Sequence, residues 1–200
     1  MTPITEFIVQ IEKSHKDEVA LKSGLTLKVD TRFNQGVYTN RVGKVIACPA
    51  KYDSKIKEGY IVVIDKNIVT FQVHGDSLIN KSMNLVDEKL GYYRVPESMI
   101  YLYKENAKSD WVCPAPYIFI RPIKSEVTKT KGGLEYKAID DYKGFKEQYG
   151  TVAYINDIAK SYGLKLGDLV FYPKDREYEF DIDGEILYHM DNSDILGIMN

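Results

Sequence analysis

The chain is poor in the residues that carry chemistry. In 200 residues it has two cysteines, three histidines and one tryptophan. Cys48 and Cys113 lie far apart and each precedes a proline. That fits structural thiols in a reducing compartment, with a disulfide between them the less favoured alternative. His15, His74 and His189 are scattered, with no cysteine or carboxylate spacing suited to zinc. No Ser/His/Asp or Cys/His set stands out. Lys131-Gly132-Gly133 lacks the Gly-Lys-Ser/Thr of a phosphate loop. Glu179 to Gly184 opens like a calcium loop, but the position for its bidentate acid falls on Met190. No catalysis, cofactor or metal is therefore expected. Net charge is low as well: a formal −2 argues against a nucleic-acid polyanion as the main partner. Long apolar runs are missing, so no membrane span is expected. Met1 to Glu6 lacks a basic region followed by an apolar one, which reads as no secretory signal and a cytoplasmic protein.

What is present favours strands. Hydrophobic residues make up 44% and tyrosines number sixteen, many in short runs. The stretch from Gly163 to Asn200 is the most legible. Leu166-Gly167-Asp168 is a turn, and Leu169-Val170-Phe171-Tyr172 is a strand that stops at Pro173. Tyr178-Glu179-Phe180-Asp181-Ile182 alternates with the period of a half-buried strand. Asp183-Gly184 is a hairpin signal, Glu185-Ile186-Leu187-Tyr188 returns, and Ser193 to Met199 is a last strand.

The same order occurs earlier. Glu6 to Ile11, Arg41 to Ala47, Lys57 to Ile64, Asn67 to Val73 and Pro96 to Tyr103 read as strands or turn-led strands. Pro116 to Pro122 matches the first of these, and Tyr149 to Tyr154 matches Val42 to Ala47. Gly43 to Gly150 and Gly59 to Gly167 are nearly equal steps, so one unit is repeated. The expected division is a first barrel over 1–105, with an insertion near 75–91, a linker over 106–115, and a second barrel over 116–200. Trp111, in the linker, is expected to pack between the halves.

Leu166-Gly167-Asp168-Leu169-Val170, Asp183-Gly184-Glu185-Ile186-Leu187 and Ser193-Asp194-Ile195-Leu196-Gly197-Ile198, in that order, resemble the end of the GroES-type co-chaperonins. The resemblance implies an all-β chain of two tandem GroES-like small β-barrels, similar to the tandem co-chaperonins of plastids. Diverged members are also carried by viruses of bacteria, and the Lys-, Ile-, Asn- and Tyr-rich usage suits an AT-rich genome. The resemblance further implies a homo-oligomeric ring joined through first and last strands. It implies a GroEL-type chaperonin as partner, gripped by a mobile loop after the first strand through a short apolar tripeptide following glycine. The implied contact residues are Gly24, Leu25, Thr26 and Leu27 in the first copy and Gly133, Leu134, Glu135 and Tyr136 in the second. Glu135 departs from the family's apolar tripeptide. The roof segments, Ala47 to Lys57 and Tyr154 to Lys165, read as short and without a strand pair. The competing expectation is the same barrel reused as a structural or assembly protein, for example of a virion.

Overall fold

The computed structural model describes residues 2–14, 18–20, 26–28, 39–70, 72–74, 77–79, 82–125, 128–129, 135–136 and 144–199. The chain divides into two units, Met1–Trp111 and Val112–Asn200. In the first, β1 (Phe7–Gln10), β2 (Glu18–Ala20), β3 (Thr26–Lys28), β4 (Val42–Ala47) and β5 (Ile61–Ile64) are followed by β6 (Gln72–His74), β7 (Ser77–Ile79), β8 (Leu85–Asp87), β9 (Tyr92–Val95) and β10 (Ile100–Lys104). The second holds β11 (Tyr117–Lys124), β12 (Thr128–Lys129), β13 (Glu135–Tyr136), β14 (Phe145–Tyr154), the short helix α1 (Asp157–Ser161), β15 (Leu169–Phe171), β16 (Tyr178–Ile182), β17 (Glu185–Asp191) and β18 (Gly197–Met199).

Each unit is built on a six-stranded antiparallel sheet, ordered β10-β5-β4-β1-β9-β8 in the first and β16-β17-β11-β14-β15-β18 in the second. With β11 standing for β1, β14 for β4, β15 for β5, β16 for β8, β17 for β9 and β18 for β10, the second order is the first read from the other end. The chain is thus two tandem barrel-like β domains of one plan. Period-2 alternation places the cores. Phe7, Val9 and Ile11 enter one buried cluster with Val45, Val62 and Ile64. Ile118 and Ile120 enter another with Val152, Val170 and Tyr188. Each such side chain stabilises its unit by about 1.5–3 kcal/mol relative to exposure.

Local chemistry explains where elements begin and end. Asp183 (φ 53°) and Gly184 (φ 84°) form the two-residue turn joining β16 to β17, with Ile182 opposite Glu185. The last strand starts later than its apolar pattern indicates. Asn192–Asp194 is a 3₁₀ turn, because the Asp191 carboxylate and the Asp194 carboxylate cap each other's backbone N–H groups. Likewise Lys66–Ile68 is a 3₁₀ turn capped by Asp65, so the alternation over Asn67 to Val73 yields a strand only from Gln72. The roof segments carry no strand: 48–60 is irregular and 155–168 holds only α1.

Candidate functional site

Both units carry an arm between their first two sheet strands. In the first, β2 and β3 pair as a separate two-stranded ribbon, with Glu18 opposite Lys28, Val19 opposite Leu27 and Ala20 opposite Thr26. In the second, β12 and β13 pair with Thr128 opposite Tyr136 and Lys129 opposite Glu135. Each arm leaves its barrel through a neck closed by one backbone hydrogen bond. Asn40 N–H donates to Ser14 C=O at 2.9 Å, and Ser125 N–H donates to Gly144 C=O at 3.0 Å. The arms therefore occupy the same place in two copies of the fold, and neither belongs to a six-stranded sheet.

The sequence-predicted contact residues fall on these arms where they are described. Thr26, which is exposed, and Leu27 lie on β3. Glu135 and Tyr136 form β13. Gly24, Leu25, Gly133 and Leu134 lie outside the described residues. What sequence reasoning missed is the cross-strand register. It sets Glu135, the residue that departs from the apolar tripeptide, opposite Lys129 in the strand register.

The strands next to the arms are held by close approach. A Cβ on Gly43 would lie 2.5 Å from Val9 Cγ1 and 2.8 Å from Gln10 O. One on Gly150 would collide with Ile120 Cγ2 and lie 2.8 Å from Arg121 O. Only glycine lets β4 and β14 cross their first strands this closely.

The two end strands differ in how they are finished. On β10, Tyr103 stacks against Tyr60 with centroids 6.3 Å apart. Lys104 is 8% exposed, its Nζ 4.1 Å from the centroid of the Trp111 ring. On β18, the register-equivalent residues Ile198 and Met199 are 42% and 46% exposed.

Both cysteines are free thiols. Burial raises the Cys113 thiol above its ordinary range, and burial, then the nearby Glu58 carboxylate, raises Cys48. Neither is an activated nucleophile. No group of three or more His, Cys, Asp or Glu among the described residues could hold a metal ion. No helix among them is long and apolar enough to cross a membrane.

Residues 115–199, which lie in the second unit, match the model of the Chaperonin 10 Kd subunit family. The chain is 38% identical over 90 residues to the Co-chaperonin GroES of Rickettsia typhi, a match covering 42% of this chain and 90% of the relative. The Co-chaperonin GroES proteins of Rickettsia prowazekii and Rickettsia akari match to the same extent. The chain belongs to the chaperonin 10 family. The matched region supplies the whole six-stranded sheet of the second unit. The first unit lies outside that match, and its strand order ties it to the same plan.

Proposed function

We propose that this chaperonin 10 family chain is a co-chaperonin. It caps a GroEL-type chaperonin with its two arms, assists protein folding there, and makes or breaks no bond itself. The observation that carries this reading is the recurrence of a neck-closed arm at one place in both units, in a chain whose second unit matches the family. A GroES-type arm binds by ordering against its partner. Ordering costs conformational entropy, which keeps each grip modest and reversible. Several arms on one assembly then restore avidity.

The contacts proposed are Gly24, Leu25, Thr26 and Leu27 on the first arm and Gly133, Leu134, Glu135 and Tyr136 on the second. The first arm is the stronger grip, because burying Glu135 in an apolar groove would be unfavourable. Copies join into a ring through end strands, and the exposed apolar side of β18 is one half of that contact. The segments at the roof position carry no strand pair, so the dome is loosely covered. A cytoplasmic location follows from the same reading.

The test is to add the protein to a GroEL-type chaperonin with ATP. The ATPase rate should fall and a complex should co-migrate. Leu25→Asp with Leu27→Asp should abolish both effects, whereas Leu134→Asp should weaken them several-fold. Absence of a complex, where a GroES of known activity forms one, would refute the reading.

A further inference from the structure

The duplicated sheet shows what one face of this fold accommodates, and the first unit lacks it. In the second unit Phe119 pairs with Tyr154 on one side and His189 on the other, and Phe180 pairs with Leu187. Their rings pack edge to face, Phe119 lying 5.5 Å from Phe180, 6.2 Å from Tyr154 and 5.3 Å from His189. At the same register positions the first unit has Ile8 paired with Ala47 and Arg94, and Asp87 paired with Tyr92. Phe119, Tyr154 and Phe180 are thus replaced by Ile8, Ala47 and Asp87. The missing rings leave a groove of about 700 Å³, with Ile8, Ile46, Leu90 and Tyr92 as apolar walls and Glu58 and Asp87 as carboxylates. Among the described residues no lysine or arginine lines it.

We propose that this groove is a docking site for a second copy of the chain, which fills it with Tyr162. Tyr162 follows α1 and is 75% exposed, and Leu166, four residues on, is 64% exposed. The knob is held firmly. Asn156 accepts from Ala159 N–H at 3.0 Å and donates to Asn192 Oδ1 at 2.8 Å, and Leu164 is buried. An aromatic ring replaces the lost aromatic volume. Lys165, exposed in the adjoining turn, meets the acidic walls. Groove and knob lie on different units, so every copy carries one of each and the contact is heterologous. The proposal does not depend on chaperonin binding.

The experiment uses the full chain with benzoylphenylalanine in place of Tyr162, irradiated without any chaperonin. A two-chain product is expected, mapped to first-unit peptides around Leu90 and Tyr92. Asp87→Lys should lower its yield at least tenfold, and so should Lys165→Glu, which lies on an exposed turn and does not threaten folding. Combining Asp87→Lys with Lys165→Glu should restore the yield. A product confined to one chain, one mapped elsewhere, or single variants without effect would overturn the proposal. So would a charge swap that stays silent, or products formed only on adding chaperonin and mapped to it.

Discussion

Gly43 and Gly150 are the residues at which the repeat is most exacting. They face Val62 and Val170 across equivalent strand pairs, and any side chain there meets backbone carbonyl oxygen of the residue that follows the first strand's core position. Gly43→Ala and Gly150→Ala should each destabilise their unit by about 1–3 kcal/mol, the usual range for overpacking, read from urea midpoints. On the surface, the Arg121 guanidinium forms a two-point contact with Glu185 across β11 and β17. That contact, chiefly its hydrogen bonds, holds the Glu185 carboxyl below the ordinary glutamate range. A depressed folded-state value stabilises the fold above the unfolded glutamate's pKa, and the contribution is lost as pH falls through the folded value. Glu185→Gln should therefore lower stability near neutrality, change little at the acid end where the carboxyl is already protonated, and so flatten part of the acid limb of the stability–pH curve. Because both groups are about half exposed, the effect should stay below about 1 kcal/mol.

At the scale of elements, α1 depends on one side chain. Asn156 caps the helix and also donates to the Tyr117 carbonyl and to Asn192. Asn156→Ala should cost about 2 kcal/mol, since it removes a cap and leaves buried acceptors unmet. Circular dichroism melts of the full chain should show the loss in the second unit's transition. The hairpin at Asp183-Gly184 and the strands beside it were legible because a turn signal and strict alternation agree. The paired glycines exposed the repeat because close backbone approach tolerates no other residue. Elements set by side-chain-to-backbone bonds were not legible. The Asp191 and Asp194 box delays β18, the Asp65 cap turns Lys66–Ile68 into 3₁₀ structure, and Asn156 makes a helix where the pattern reads as a short roof segment. The ribbons β2–β3 and β12–β13 were recognised as arms through resemblance, while their register rests on strand pairing that alternation does not encode.

Across the whole chain, the two buried clusters share no member. A cavity-forming change in one should leave the other's cooperative transition in place. Val45→Ala and Val152→Ala should each lower one step of a two-step denaturation curve by about 1–3 kcal/mol, while the other midpoint stays put. Ile198 and Met199 on β18 are exposed and belong to neither buried cluster, and the proposed ring contact runs through them. Ile198→Asp with Met199→Asp should shift the protein to smaller species in sedimentation, with both unfolding midpoints little changed.

The covered β10 and the open β18 give each copy a finished end and a receptive one. Joined through these ends as proposed, copies would add in a single direction, and barrels would enter two at a time. A closed assembly counts an even number of them, so against a partner of odd rotational order its grips fall at inequivalent stations. Some subunits of that partner would be seized by a leucine-rich arm, others by an acidic one, and the lid would come away unevenly.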